Sequence, residues 1–169
     1  DLKAHQEHSG KKLQYFDPEL GESYIPYVVE TSIGLDRMFL TVLSHSFQEE
    51  QLENGESRVV LKIPAILSPI KAAILPLTKK DGMPEKAREI MKMLQIDFNC
   101  QYEEKDSIGK RYRRQDAIGT SFCITVDHKT LEDNTVTLRD RDTMEQERVS
   151  IEKLHSIIAE KVNISKYLI

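Results

Sequence analysis

Residues 30–37 hold three side chains whose types and spacing could bind a charged ligand. The run reads Glu-Thr-Ser-Ile-Gly-Leu-Asp-Arg, so Glu30, Ser32 and Arg37 lie within one short segment. A carboxylate and a hydroxyl both accept hydrogen bonds from a primary ammonium group, and a planar guanidinium can stack on an aromatic base. The run therefore offers an anion and a cation to one ligand. The alternative is a strand end with a surface ion pair.

A second group of charged residues lies between residues 105 and 116. It contains five basic residues against two acidic ones, a local balance of +3. The whole chain carries a net charge of −4, which argues against a protein that binds nucleic acid by electrostatic attraction alone. The acidic excess therefore lies elsewhere, and this basic segment can still face RNA.

The elements around residues 30–37 must hold these side chains in place. Residues 12–16 and 24–31 are rich in β-branched and aromatic residues and flank a turn-like stretch, which predicts two strands joined by a loop. After Gly34 the apolar residues recur at helical spacing, which predicts a helix to about Phe47. Glu30 and Ser32 would then share one face of a strand, and Arg37 would project from the first helical turn.

The rest of the chain alternates between strand and helix patterns. Polar residues and an Asn54-Gly55 turn signal predict a linker at 48–57. The patterns beyond it predict, in order, a strand at 71–77, a helix at 84–95, a strand at 97–103, a helix at 107–118 and a strand at 121–127. Strands at 135–138 and 147–150 then flank a predicted hairpin turn, and Ser150 is predicted to cap a final helix. Such alternation is typical of an α/β layer fold.

Composition predicts a globular protein. Of its 169 residues, 39% are hydrophobic and 31% are charged, and no apolar run approaches the roughly 20 residues that span a bilayer. Cys100 and Cys123 have neither a Cys-x-x-Cys spacing nor a His-rich partner segment, so we expect buried free thiols in a reducing compartment and no metal site. The N-terminus has no apolar signal region and no Met, so we expect the chain to start within a longer protein.

The run at residues 30–37 resembles the third signature motif of class II aminoacyl-tRNA synthetases, in the form used by the glycyl-tRNA synthetase family. The resemblance implies that Glu and Ser help to hold the ammonium group of glycine and that Arg packs against the adenine of ATP. Thr31 stands where the family usually has proline, a change that removes no contacting group. The implied glycine-binding residues are Glu30, Thr31, Ser32, Ile33 and Gly34. The implied ATP-binding residues are Gly34, Leu35, Asp36 and Arg37.

Residues 58–169 resemble the anticodon-binding domain shared by the glycyl-, histidyl-, prolyl- and threonyl-tRNA synthetases. The strongest stretches are residues 68–77, 108–120 and 137–144. The resemblance implies an α/β fold with a mixed five-stranded sheet and flanking helices, preceded by a strand–helix remnant of an antiparallel catalytic domain. We therefore expect three parts: the end of a class II catalytic domain at 1–47, a linker at 48–57 and an anticodon-binding domain at 58–169.

The same resemblance implies a set of tRNA anticodon contacts. Basic residues of the helix at 107–118 would bind phosphates, arginines at the hairpin tip would donate to a cytosine carbonyl, and carboxylates would accept from a cytosine amino group. The expected contacts are Lys110, Arg111, Arg113, Arg139, Arg141, Glu103 and Asp140. The alternatives are an ordinary solvated helix face and a local salt-bridge cluster of the hairpin arginines with Asp140 and Asp142. Tyr112 is expected in the core.

The resemblance implies that the parent protein is a glycine–tRNA ligase, which activates glycine with ATP and transfers it to tRNA(Gly). ATP and Mg²⁺ would be reaction partners of the full-length enzyme, with none tightly bound to this chain. The parent would be a cytoplasmic homodimer without membrane attachment. The first two class II motifs are absent, so we expect the isolated chain to be inactive. The alternative is a non-catalytic, synthetase-like accessory protein that binds RNA; the intact Glu30, Ser32 and Arg37 favour the enzyme.

Overall fold

The computed structural model describes residues 1–52 and 55–168 of the chain. These residues divide into two compact units, Asp1–Met38 and Phe39–Ile169. The first unit begins with helix α1 (Leu2–Ser9) and continues with an antiparallel hairpin of β1 (Tyr15–Asp17) and β2 (Glu22–Tyr24). The predicted pairing of two strands around a turn is therefore confirmed, although each strand is shorter than expected.

The strand predicted at 24–31 is wrong beyond Tyr24. Residues 25–34 have no regular secondary structure, and the side chains of Tyr27 and Val29 are almost fully exposed. A strand needs a neighbour for its backbone N–H and C=O groups, and Pro26 also lacks an N–H, so β-propensity alone does not form one here. The predicted helix is confirmed as α2, which covers Leu35–Ser46.

Two paired strands extend into the segment predicted as a linker. Strands β3 (Phe47–Gln51) and β4 (Ser57–Leu61) pair antiparallel, so residues 48–51 and 57 of the predicted linker lie in regular structure, while the domain boundary placed at 48–57 stays a prediction. Asn54, half of the turn signal, lies outside the described residues. The polar residues that suggested a linker have charged partners instead: the Glu50 carboxylate accepts a hydrogen bond of 2.7 Å from Nε of the buried Arg58.

The second unit contains a mixed five-stranded sheet, as predicted. Its strands are β5 (Ala72–Pro76), β6 (Cys100–Tyr102), β7 (Phe122–Val126), β8 (Thr135–Asp140) and β9 (Gln146–Ser150). The spatial order is β6-β5-β7-β8-β9. The first three strands in this order are parallel, β8 runs antiparallel to β7, and β9 runs antiparallel to β8. The parallel strands thus end at one side of the sheet, which we call the carboxyl edge, and begin at the other, the amino edge.

Helices cover both faces of this sheet. Helices α3 (Met83–Leu94) and α6 (Leu154–Lys161) pack with Ala72 and Ile74 of β5 in one hydrophobic cluster. Helix α4 (Ile108–Ile118) contributes to the cluster on the other face, around Ala73 and Leu75. Alternate residues of β5 therefore enter two separate hydrophobic layers, which is why this strand is apolar throughout.

Short elements account for the remaining differences from the sequence predictions. The patterns did not indicate α1 or helix α5 (His128–Asp133), nor the 3₁₀ turns at Ile151–Lys153 and Ile164–Tyr167. Ser150 precedes the first of these turns without a side-chain capping bond, so its predicted capping role is wrong. Both cysteines are free; Cys123 is buried and Cys100 is partly buried. None of the helices in the described ranges has the length and apolar character required to cross a membrane.

Candidate functional site

The run at residues 30–37 lies on the surface of the first unit. All eight residues are exposed, and only the last three belong to α2. The Gly34 carbonyl accepts a hydrogen bond of 3.0 Å from the Met38 N–H, which closes the first turn of the helix. Arg37 therefore projects from the first helical turn as predicted. Glu30 and Ser32 lie in irregular backbone, so the prediction that they share a strand face is wrong.

The carboxyl edge of the sheet is held together by the buried guanidinium of Arg111. This residue of α4 is 2% exposed, and burial lowers its pKa. Its Nη1 donates to the carbonyl oxygens of Pro76 at 2.7 Å and Glu103 at 3.2 Å, and its Nη2 donates to that of Leu77 at 3.4 Å. Arg111 thus donates hydrogen bonds to backbone carbonyl oxygens at the ends of β5 and β6. It does not lie on the surface where a phosphate contact was predicted.

Asp116 of α4 binds two buried arginines. Arg139 Nη1 and Nη2 donate to its two carboxylate oxygens at 2.8 and 3.0 Å, and Arg58 Nη1 donates to Oδ2 at 3.1 Å. Burial alone would lower the pKa of Arg139, but Asp116 raises it overall. Arg139 is a β8 residue directed toward α4 and 5% exposed, so its predicted place at an exposed hairpin tip is wrong.

Tyr112 is in the core, as predicted. It packs against the cluster around Leu75 and Cys123, and its hydroxyl lies 2.7 Å from that of Thr125. The guanidinium carbon of Arg139 lies 4.9 Å from the centre of its ring. The aromatic face of Tyr112 is therefore occupied by a protein cation.

Arg141 is also buried, at 3% exposure. Its Nη1 and Nη2 donate to the carbonyl oxygens of Gly119 at 2.9 Å and Ile63 at 2.8 Å, and its Nε donates to Asp142 at 2.8 Å. The alternative of a local ion pair with Asp142 is therefore confirmed for Arg141, and its predicted exposure at the hairpin tip is wrong. Arg139 pairs with Asp116 rather than with the hairpin carboxylates.

Four exposed lysines remain around the carboxyl edge. Lys79 and Lys80 follow β5, Lys105 follows β6, and Lys110 lies in the first turn of α4. Lys79 is 4.0 Å from Glu104. Lys110 was predicted from the sequence, but Lys79 and Lys80 were not. Their signal in the sequence is their position directly after a buried apolar strand that leads to a helix.

Arg113 lies on the outer side of α4, where its side chain is 41% exposed. Its Nη1 donates to the Ser57 carbonyl at 2.5 Å, and its Nη2 pairs with Glu56. Lys110 and Arg113 therefore remain accessible to a ligand, as does Arg114, whose side chain is 42% exposed beside Glu103 and Asp106.

The two predicted carboxylate acceptors lie at opposite edges of the sheet. Glu103 is at the carboxyl edge, where Oε1 accepts from Arg114 Nε at 2.6 Å and Oε2 accepts from Gln115 Nε2 at 3.1 Å. Asp140 ends β8 at the amino edge and accepts from Lys161 at 3.0 Å. Burial would raise the pKa of Asp140, but Lys161 and backbone N–H groups lower it overall. The first turn of α4, which carries Lys110, and the hairpin at 140–143 therefore lie at opposite edges of the sheet, while the C-terminal end of α4 contacts the hairpin through the bond from Arg141 to Gly119.

Comparison with protein families finds one match that covers the whole sheet. The family model described as "Anticodon binding domain" matches residues 71–161. This range begins just before β5 and ends with the last residue of α6.

Two curated proteins with similar sequences share one name. The glycine–tRNA ligase of Clostridium tetani is 54% identical over 162 residues, which cover 96% of this chain and 35% of that protein. The glycine–tRNA ligase of Chlorobaculum tepidum is 52% identical over 162 residues, which cover 96% of this chain and 34% of that protein. The chain thus spans little more than a third of the length of these curated relatives.

A solved structure has a similar fold. It is the RNA binding domain of threonyl-tRNA synthetase from Cryptosporidium parvum Iowa II, with a TM-score of 0.54 and 24% sequence identity. The similarity covers 59% of this chain and 25% of that one. At this identity the likeness concerns the fold, which agrees with a mixed sheet flanked by helices.

Proposed function

The chain belongs to the anticodon binding domain family, and we propose on that premise that it recognises the anticodon of tRNA(Gly) as part of a glycine–tRNA ligase. The observation that carries the proposal is the family match across the entire five-stranded sheet. The name shared by relatives at 52–54% identity supports glycine as the amino acid.

The proposed RNA-binding surface is the carboxyl edge. Lys79, Lys80, Lys105 and Lys110 supply exposed positive charge there, and phosphate contacts from lysine position an RNA strand without reading its sequence. Arg113 extends this charge along α4. The buried Arg111, Arg139 and Arg141 fix the shape of the domain and make no direct contact in this proposal.

Glu103 is the proposed acceptor for a cytosine amino group. Glycine anticodons carry two cytosines, and a carboxylate accepts from the N4 amino group of cytosine. The Glu103 carboxylate already accepts from Arg114 and Gln115, but an ionised carboxylate has about four lone-pair sites. Asp140 lies at the amino edge and is not assigned to this contact.

The proposal also covers the reaction of the whole protein. Glu30, Thr31, Ser32, Ile33 and Gly34 would bind glycine, and the segment from Gly34 to Arg37 would bind ATP. Mg²⁺ would neutralise phosphate charge during formation of the adenylate. The whole protein would act as a homodimer in the cytoplasm. The types and spacing of Glu30, Ser32 and Arg37 support a ligand-binding role for these residues.

Titration of the 169-residue chain with two anticodon stem-loops tests the proposal. One loop carries the CC-containing anticodon, and the other has both cytosines replaced. We expect tighter binding of the first loop, weaker binding of both by Lys110→Gln, and a salt slope reduced by about one in that variant. Lys92→Gln, which removes an exposed lysine from α3, is the matched control. Equal binding of the two loops, with no effect of Lys110→Gln, would overturn the proposal.

A further inference from the structure

A second group of basic side chains surrounds a cavity at the amino edge of the sheet. The cavity has a volume of about 400 Å³, within the range of roughly 300–1,000 Å³ of small-molecule sites. Its lining includes residues 62–65, Arg141, Lys161 and the 3₁₀ turn that carries Lys166 and Tyr167. Three segments that are distant in sequence thus bring their cations to one place.

The cavity is separated from the carboxyl edge by the length of the sheet. The Arg141 N–H donates to the Ser121 carbonyl at 3.1 Å, directly before β7 begins. The strand β7 spans roughly 15 Å at about 3.3 Å per residue. A ligand in this cavity therefore does not occupy the surface around Lys110.

Three ammonium groups at this cavity can bind an anion. Lys161 pairs with Asp140 at 3.0 Å, Lys166 pairs with Glu160 at 3.3 Å, and Lys62 pairs with Glu50. None of these three carboxylates lines the cavity. Because an ammonium group has three N–H donors, pairing with one carboxylate leaves donors for a ligand. Asp142 does line the cavity, but its charge is compensated by Arg141 at 2.8 Å.

The remaining lining residues fit an aromatic base. Tyr167 is 57% exposed, so its ring is accessible beside the lysines. The apolar part of the cavity wall is formed by Ile63, Pro64 and Ala65. An aromatic ring next to basic side chains is the combination that holds a nucleotide, since the ring stacks on the base while the cations bind the phosphate.

We propose that this cavity binds the phosphate of a nucleotide through Lys62, Lys161 and Lys166, with Tyr167 as the stacking surface for the base. The nucleotide is either free or part of a single-stranded RNA, and the chemistry of the site is the same in both cases. The inference goes beyond the proposed function because it concerns the amino edge.

The test uses the 169-residue chain with cytidine 5′-monophosphate, cytidine, inorganic phosphate and hexacytidylate as probes. Calorimetry measures affinity, and backbone amide NMR shifts locate the binding. We expect shifts at residues 62–65 and 161–167. The double variant Lys62→Gln, Lys166→Gln should weaken binding about tenfold. Tyr167→Ala should weaken binding of the nucleotide but not of inorganic phosphate, and Lys92→Gln should match the wild type.

The probes distinguish the two sources of the nucleotide. Lysine-dependent binding of the monophosphate supports a free nucleotide, and lysine-dependent binding of hexacytidylate alone supports an RNA strand. Three results would overturn the proposal. They are unchanged binding by the double variant Lys62→Gln, Lys166→Gln, chemical shift changes confined to residues 77–82 and 103–110, and no binding of any probe. Lys110→Gln should leave binding of the monophosphate unchanged, so failure of the stem-loop experiment and failure of this one are separate results.

Discussion

Both carboxylate oxygens of Asp116 accept hydrogen bonds from the guanidinium of Arg139, at 2.8 and 3.0 Å. The pair joins α4 to β8, and Arg58 connects the β3–β4 hairpin to the same carboxylate. All three side chains are buried. Loss of the carboxylate would leave two guanidinium groups inside the fold without that partner, which costs more than losing a surface ion pair.

Asp116→Asn should therefore lower the free energy of unfolding by about 3–5 kcal/mol. Urea denaturation of the 169-residue chain measures this change. The control is Glu56→Gln, which removes the partially exposed partner of Arg113 and should cost less than about 1 kcal/mol. Equal losses in the two variants would show that the buried ion pair does not stabilise the domain.

Arg111 and Arg113 should differ in what they contribute, although both are arginines of α4. Arg111→Gln removes the guanidinium that donates to the buried Pro76 carbonyl, which costs about 1–3 kcal/mol if that acceptor is left unsatisfied. Arg113→Gln should hardly change stability but should weaken binding of a stem-loop. Thermal denaturation and RNA titration of both variants test the difference. An Arg111→Gln protein as stable as the wild type would contradict the buried role.

Asp127 should contribute to the loss of stability in acid. Burial would raise the pKa of this carboxyl, but hydrogen bonds from Arg148 and Thr130 lower it overall; Arg148 Nη1 lies 2.6 Å away. A lowered folded-state pKa stabilises the protein above the unfolded value of about 3.9 and loses that effect as pH falls through the folded value.

The measurement is the free energy of unfolding at pH 7 and pH 3 for the wild type and for Asp127→Asn. The variant should lose less stability than the wild type between the two values. Asp81→Asn, in the exposed loop after β5, is the control. If Asp127→Asn shows the full pH dependence of the wild type, the ion pair with Arg148 is not responsible.

The hairpin should be part of the stable domain. A fragment of residues 58–169 keeps β4 except for Ser57 but loses β3 and Glu50, so Val60 and Arg58 lose neighbours that bury and pair them. We expect its melting temperature to be roughly 5–10 °C below that of a fragment of residues 39–169. Circular dichroism melts of the two fragments test this, and coinciding melts would show that β3 adds nothing.

In the full-length protein, Glu30→Ala should impair glycine use about tenfold or more with little effect on ATP, because it removes the charge partner of the ammonium group. Arg37→Ala should do the reverse. Pyrophosphate exchange with each substrate varied in turn measures both effects. The control is Glu19→Ala in the β1–β2 turn. Unchanged constants in both variants would remove these residues from the proposed site.

The strands and helices around the sheet could be predicted from the sequence because the patterns that indicate them lie within short stretches of chain. Buried runs such as that of β5 and the amphipathic pattern of α3 are determined by neighbouring residues. The partners of the arginines are not local: Arg58 and Asp116 are 58 positions apart, and Arg141 and Ile63 are 78 apart. A basic residue bound by a distant carboxylate or carbonyl has the same sequence signal as one that faces solvent, so the predicted RNA surface included buried residues.

Five buried charged side chains are not available for direct contact with a polyanion. They are Arg58, Arg111, Arg139, Arg141 and Asp116. The chain's net charge of −4 includes these five charges, and without them the remainder carries −7. The groups that can touch an RNA directly therefore carry −7, while the field that repels it at a distance is that of the whole −4, screened over a Debye length of about 10 Å at 0.1 M salt. Added salt would then ease the first approach while it weakens the final phosphate contacts. Association and dissociation rates should therefore both rise with ionic strength.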